Sequence, residues 1–391
     1  MRVFAAVACL VVVASCNDGP TRIESPDNQE LRVSAAKGGA GGGGSARIKS
    51  VTVSPATASI EAGNTLQLSA TTKPAASVTF EWASSNQSIA TVSQSGLVTG
   101  VAAGVATISA TVSGKTGRST VTVTAPPPAG SEIMLGAGDI SDCNNNNDEA
   151  TAKLLDANPS GLVFLLGDNA YENGSASDYN NCYNPTWGRH KSRTKPSPGN
   201  HEYNTPGATG YYGYFGTAAG DPAKGYYSYD VGDWHVVVLN SSVAHDAASA
   251  QITWLKGDLT GNTKTCTMAY WHHPRFSSGQ HGNDSSMQPY WDVLYEHNAD
   301  LILNGHDHHY ERFAPQTPTG QLDTSRGIRE FIAGTGGRAL YGLGTRKANS
   351  DVFNASTYGV MKLTLSAGSY SWEFLPIAGQ SFTDSGTQSC H

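Results

Sequence analysis

Between Arg47 and Thr124 apolar and polar positions alternate. Val51 and Val53 alternate with polar residues, as do Leu66, Leu68 and Ala70. Val78-Thr79-Phe80-Glu81-Trp82, Ala106 to Val112 and Thr120-Val121-Thr122-Val123-Thr124 continue the pattern. A period of two means strands with one buried face, and the turn residues between the runs predict a small antiparallel sandwich over 46–124. From 131 to 391 the pattern changes to short, continuous apolar runs, each ending in Asp, Asn or His. Met134-Leu135 leads to Gly138-Asp139, and Leu162 to Leu166 leads to Gly167-Asp168-Asn169-Ala170-Tyr171. Met268-Ala269-Tyr270-Trp271 leads to His272-His273-Pro274, and Leu301-Ile302-Leu303-Asn304 leads to Gly305-His306-Asp307-His308. Each run reads as a buried strand and each cluster as the loop at its C-terminal end. Loops on one rim of a sheet converge, so residues distant in sequence share one site. Gly199-Asn200-His201-Glu202 stands apart, in a loop with no strong strand before it.

The remaining segments carry no core. Val3 to Val13 is apolar, follows Arg2, and is too short to span a bilayer, which reads as an export signal over 1–16. Val13-Ala14-Ser15-Cys16 resembles the lipobox of bacterial lipoproteins, which implies a lipidated Cys16 and attachment to the outer face of a membrane, on the periplasmic or extracellular side. Residues 17–45 are polar and then glycine-rich, a flexible tether. Residues 125–130, Ala-Pro-Pro-Pro-Ala-Gly, form a stiff linker before a domain over 131–391. The net charge of −7 gives no footprint for nucleic acid. Cys143, Cys182, Cys266 and Cys390 remain after the signal, an even number that argues for two disulfides in an exported chain. Of the three pairings, Cys143 with Cys182 and Cys266 with Cys390 is favoured.

Carboxylates, imidazoles and one amide at the strand ends suit hard-to-borderline metal ions. A shared carboxylate lets two such ions sit close together and act on phosphorus. The five clusters, in this order, resemble the calcineurin-like metallophosphoesterase superfamily, and Tyr171, three residues after Asp168, resembles the purple acid phosphatase branch. Residues 47–124 resemble the bacterial Ig-like group 2 domain, through Val53-Ser54-Pro55, Gly63, Trp82-Ala83-Ser84-Ser85, Ile89 to Val92, Gly96 to Gly100 and Gly104.

The resemblance implies an Ig-like β-sandwich followed by an α+β, four-layer α/β/β/α domain. It implies Asp139, Asp168, Tyr171 and His308 on one metal, and Asp168, Asn200, His272 and His306 on the other, with Asp168 bridging. His201 is implied as a catalytic proton donor or hydrogen-bond partner of the phosphate, and His281, nine residues after His272, as a substrate contact. Arg275 is a weaker substrate contact, through bidentate guanidinium binding. Ser141 stands where many superfamily members carry a ligand His and the purple branch carries Gly. A poor ligand there favours Tyr171 on ferric iron, paired with Zn, Fe or Mn(II); a Mn or Zn pair is the runner-up. The implied reaction is hydrolysis of a small phosphomonoester by metal-activated hydroxide. The alternatives are a phosphodiesterase or nucleotide hydrolase using the same metals, or a surface adhesin working through the Ig-like domain. No obligate protein partner is evident.

Other conspicuous residues read as structural. His235 belongs to a strand and to the core or the surroundings of the site. Alternation points His273 and His309 away from the ligands if the chain there is extended. Gly334-Thr335-Gly336-Gly337 is a tight turn, because it lacks the ending of a P-loop. Asn144 to Asn147 and Tyr211 to Phe215 are loop material, and Tyr310-Glu311-Arg312 is structural.

Overall fold

Nine strands form from the alternating segment: β1 (Ser50–Ser54), β2 (Thr57–Glu61), β3 (Thr65–Gln67), β4 (Ser69–Lys73), β5 (Glu81–Ser84), β6 (Ala90–Val92), β7 (Leu97–Gly100), β8 (Gly104–Val112) and β9 (Lys115–Thr124). The computed structural model describes residues 47–391. The export signal, Cys16 and the tether therefore lie outside the described residues. Val51, Val53, Leu68, Trp82, Val98, Ile108, Val121 and Val123 meet in one core, as the alternation predicts. The sandwich is not wholly antiparallel: β2 runs parallel to β9, while β1 pairs antiparallel with β4. Pro55, which has no N–H for a ladder, separates β1 from β2 where the chain changes partner. Val78 to Phe80 lie outside β5.

From Glu132 the chain builds two further sheets. The first holds β10 (Glu132–Ala137), β11 (Leu162–Leu166), β12 (Thr194–Ser197), β20 (Gly359–Ser366), β21 (Ser369–Pro376) and β22 (Ser385–Ser389), in the order β12-β11-β10-β20-β21-β22. The second holds β13 (Tyr227–Val231), β14 (Trp234–Val238), β15 (Cys266–Tyr270), β16 (Leu301–Asn304), β17 (Tyr310–Phe313), β18 (Arg329–Ala333) and β19 (Ser350–Asn354), in the order β13-β14-β15-β16-β18-β17-β19. Met134, Phe164 and Leu166 of the first sheet pack against Trp234, Val236, Met268 and Leu303 of the second. The outer face of the first sheet is covered by α1 (Asn147–Asp156), by the helical turn Tyr179–Tyr183 that follows the short α2 (Ala176–Asp178), and by α3 (Thr209–Phe215), through Leu155, Tyr179, Tyr211 and Phe215. The outer face of the second is covered by α4 (Ala250–Gly261) and α5 (Gln288–Glu296), through Ile252, Leu255, Tyr290 and Trp291. This is the four-layer α/β/β/α arrangement the resemblance implied. The central strands are buried on both faces, which explains why they read as continuous apolar runs.

Three sequence readings change at this level. A strand, β12, does precede Gly199; its polar Thr194 and Lys195 and its Pro196 belong to a sheet edge, where proline is tolerated and no apolar run is needed. Tyr211 to Phe215 are not loop material but lie in α3, with Tyr211, Tyr212 and Phe215 buried. His235 belongs to an ion-pair cluster rather than to an apolar core, with Nδ1 2.9 Å from Asp230 and Nε2 2.8 Å from Asp258.

Both disulfides form, Cys143–Cys182 and Cys266–Cys390. They close loops of 39 and 124 residues, for which chain entropy alone predicts about 4 and about 5 kcal/mol. Among the described residues no helix is long and apolar enough to cross a membrane.

Candidate metal centre

The C-terminal ends of β10, β11, β12, β15 and β16 converge where the two sheets meet. β10, β11 and β12 are mutually parallel, as are β14, β15, β16 and β18, so all these ends open on one rim. The turns are held in costly conformations. Asp139, Asp168 and His306 have φ of 59°, 50° and 69°, a left-handed backbone that side-chain-bearing residues adopt rarely. Gly199 passes so near Asp168 that an added Cβ would lie 2.2 Å from Asp168 Oδ1, so only glycine fits.

The structure brings all seven predicted metal-binding side chains together. Tyr171 OH lies 3.0 Å from Asp139 Oδ1, 3.2 Å from Asp168 Oδ2 and 3.2 Å from His308 Nε2. His272 Nε2 lies 3.2 Å from Asp168 Oδ2, 3.1 Å from Asn200 Oδ1 and 3.3 Å from His306 Nδ1. Asp168 Oδ2 is thus common to both groups, the position of a bridge. Asp168, His272 and His306 offer ligand atoms within 4.8 Å of one another.

The donor chemistry fits cations. His272 Nδ1 is 2.7 Å from Leu166 O, and His308 Nδ1 is 2.7 Å from Ala339 O. Each Nδ1–H is spent on a carbonyl, which leaves the Nε2 lone pair of a neutral ring facing a carboxylate oxygen. Such lone pairs repel unless a positive charge lies between them. Burial opposes an imidazolium at His272, yet Asp168 outweighs it and lifts the ring to about 9. Burial likewise opposes charge on Asp168, and His272 overcomes it, holding the carboxyl well below the usual range. A proton thus occupies electrostatically the place that a metal suits. Burial, and then the charges of His272, His273 and His281, push His306 down, so that this ring is neutral. Burial, with Asp139 and Asp168, raises the Tyr171 phenol.

His201 stands at the rim. Its Nδ1 is 2.6 Å from Glu172 O, its Nε2 is 3.8 Å from Asp168 Oδ2, and its ring meets that of Tyr171 at 4.5 Å. His281 also reaches the centre, with its ring 4.3 Å from that of His306. Arg275 does not. Its Nε and Nη2 donate to Gln288 Oε1 at 3.1 and 2.9 Å, and the guanidinium lies over Phe276. A chain that turns after Pro274 carries this side chain towards α5.

Four residues beside the centre escaped the sequence reading. His273 is not turned away: its ring lies 4.2 Å from that of His306, with Nδ1 2.7 Å from Ser241 Oγ. β15 ends at Tyr270, so strand alternation no longer governs this position. His309 does leave the site, bonding Glu311 at 3.1 Å. Arg338 sits over the Tyr171 ring at 4.6 Å and pairs with Asp142 and Glu172. Tyr341 stacks on His308 at 3.9 Å. No motif marks Arg338 or Tyr341; the loop after β18 brings them in, and the glycines of Gly334 to Gly337 serve its close packing rather than a phosphate cradle.

Glu202 is the fourth. Burial and Asp168 push its carboxyl up. Its Oε2 accepts from the backbone N–H of Asp168 and Gly199 at 3.0 and 2.7 Å, and its Oε1 accepts from Asn169 N–H and the Tyr179 hydroxyl, each at 2.9 Å. One side chain therefore clips the turn of the bridging aspartate to the turn of Asn200 and His201. Glu202→Ala is expected to weaken metal binding about 10- to 100-fold, the usual cost of losing support behind a ligand; titrating metal-free protein with Zn or Mn by calorimetry checks this.

The fold is a four-layer domain whose donor set suits metal ions, with Asp168 common to the two groups of donors. Residues 135–310 match the calcineurin-like phosphoesterase family, and residues 47–125 match the bacterial Ig-like domain (group 2). The chain thus joins a group 2 Ig-like domain to a calcineurin-like phosphoesterase domain, and its relatives are purple acid phosphatases. It is 29% identical to purple acid phosphatase 15 of Arabidopsis thaliana over 230 residues, 49% of this chain and 43% of the relative. It is 30% identical to purple acid phosphatase 18 of the same plant over 126 residues, 31% of this chain and 29% of the relative. The chain spans less than half the length of these curated relatives. In structure it resembles purple acid phosphatase PPD1 of yellow lupin seeds, with a TM-score of 0.52 and 15% identity over 83% of this chain and 67% of that one. It also resembles GAP50, the anchor in the inner membrane complex of Plasmodium, with a TM-score of 0.53 and 13% identity over 67% of this chain and 89% of that one. At such identities the likeness concerns the fold alone.

Proposed function

We propose that this protein is an exported, lipid-anchored phosphatase that hydrolyses small phosphomonoesters at a binuclear metal centre. The observation that carries the reading is the contact of Asp139, Asp168, Tyr171 and His308 on one side of Asp168 Oδ2 with Asn200, His272 and His306 on the other. Asp139, Asp168, Tyr171 and His308 would hold the first ion, and Asp168, Asn200, His272 and His306 the second. When bound, two such ions polarise phosphoryl oxygens and make water a nucleophile at neutral pH. Leu166 O and Ala339 O orient His272 and His308, and Glu202 sets the distance between the turns of Asp168 and Asn200. His201, with Nδ1 on Glu172 O and Nε2 3.8 Å from Asp168 Oδ2, would give that Nε2 to a leaving oxygen that takes up a proton or hydrogen bond. His281 meets the phosphate or the group attached to it. The place of the Tyr171 oxygen among Asp139, Asp168 and His308 supports its ligation of the first ion; a trivalent cation there would outweigh the burial and the carboxylates that raise the phenol, which favours ferric iron paired with Zn, Fe or Mn(II). The lipobox at Cys16 and two disulfides support export, and the Ig-like domain acts as a spacer between anchor and enzyme.

Metal analysis, a visible spectrum and rates on monoester and diester panels test this together. The expected result is two metal ions per chain, a purple colour that bleaches on reduction, and faster hydrolysis of monoesters. A colourless, active Mn or Zn protein replaces the iron assignment with the runner-up. Faster diester hydrolysis replaces the substrate class.

A further inference from the structure

A cavity of about 250 Å³ opens beside His306. His273, His281, Asn283, Asp284 and Ser285 line it with His306, and Pro274 contributes its single apolar side chain. Pockets for drug-sized ligands are larger, about 300–1,000 Å³, and mostly apolar. This one is small and more polar than apolar. His273 is oriented by Ser241 through Nδ1 at 2.7 Å. The loop of His281 is fixed by its own N–H on Asp307 Oδ1 at 3.1 Å. Asp284 Oδ1 accepts from Ser286 N–H and Oγ at 2.8 and 2.6 Å, so its carboxylate is anchored at the cavity wall.

We propose that this cavity receives the leaving group and selects a small hydroxylated alcohol, so that the preferred substrates are sugar or polyol monophosphates. The inference rests on the phosphomonoesterase reading and deepens it. Hydroxyl groups match a wall that offers carboxylate, amide, imidazole and hydroxyl partners together. An aryl group could stack on the imidazole rings but would leave the Asp284 carboxylate, the Asn283 amide and the Ser285 hydroxyl unmatched. A second phosphoryl group, as in pyrophosphate or a nucleoside diphosphate, would meet the Asp284 carboxylate without a Lys or Arg among the lining residues. Asp284 and His273 are then specificity-determining residues.

Asp284→Asn tests the proposal. Asparagine keeps the turn at Ser286, being as good a helix cap as aspartate, and removes the charge. Steady-state kcat/KM is measured for glycerol 1-phosphate, 4-nitrophenyl phosphate and inorganic pyrophosphate, with metal content determined on the same samples. The expected result is a fall of about tenfold for glycerol 1-phosphate relative to 4-nitrophenyl phosphate, the worth of one charge-assisted hydrogen bond. Pyrophosphate is expected to gain relative to both, with two metals retained. Asn283→Ala should repeat the loss for glycerol 1-phosphate without the gain for pyrophosphate. Equal changes on all three substrates, or none, overturn the inference while leaving the phosphomonoesterase reading intact. Wild-type protein that carries its metals and hydrolyses no monoester overturns the reading itself.

Discussion

Asp168→Ala lowers kcat/KM by at least about a thousandfold, which is roughly 4 kcal/mol of transition-state stabilisation, and the purified variant carries less than its complement of metal. Two facts make this the largest expected effect. Asp168 Oδ2 is the atom common to the Tyr171 group and the His272 group, at 3.2 Å from each, so its removal takes one ligand from both ions. Its Oδ1 also accepts the His201 N–H at 2.9 Å, so the turn carrying Asn200 loses an anchor. Metal analysis beside kinetics separates this from simple unfolding, because the two disulfides and the three catalytic-domain cores do not depend on this side chain. A variant that keeps both metals and near-normal activity would sink the binuclear assignment.

His201→Ala is expected to lower kcat about 10²- to 10⁴-fold, the range for loss of a positioned acid, with metal content preserved. The imidazole does not share the contacts of the seven ligand side chains. Its Nδ1 is on Glu172 O, and its Nε2 is 3.8 Å from Asp168, farther than the 3.0–3.3 Å contacts inside the cluster. The effect should shrink for esters whose leaving group needs no proton, such as 4-nitrophenyl phosphate, and remain large for alkyl phosphates. That difference marks proton donation; a uniform loss would assign His201 to phosphate binding instead, and loss of metal would make it a ligand.

Much of the centre was legible because each metal-binding cluster directly follows a strand. Continuous apolar runs such as Leu162 to Leu166 can be satisfied only between two covered faces, and the polar cluster after each run must then lie at the rim. The clusters that hold Asp139, Asp168, Tyr171, His272, His306 and His308 were found in this way; which of their residues bind metal, and the place of Asn200 among them, came from the resemblance. Arg275 misled because its type, not its direction, was visible: a guanidinium suits phosphate, but Gln288 and the Phe276 ring hold it on α5. His273 misled in the opposite direction, since alternation applies only while the chain is extended.

The sequence by itself determined the buried strands that lead into Asp139, Asp168, His272 and His306, the order of the clusters and the type of every donor, because hydrophobic periodicity and side-chain chemistry are local properties. The tertiary structure alone decided which nitrogen of His272 and His308 faces the centre, since Leu166 O and Ala339 O come from other strands and loops. It also decided that Glu202 joins two turns, that Arg338 and Tyr341 close one flank, and that the cavity beside His306 is small and polar. Those are relations between segments far apart along the chain, and no local pattern encodes a distance that arises only when two sheets pack.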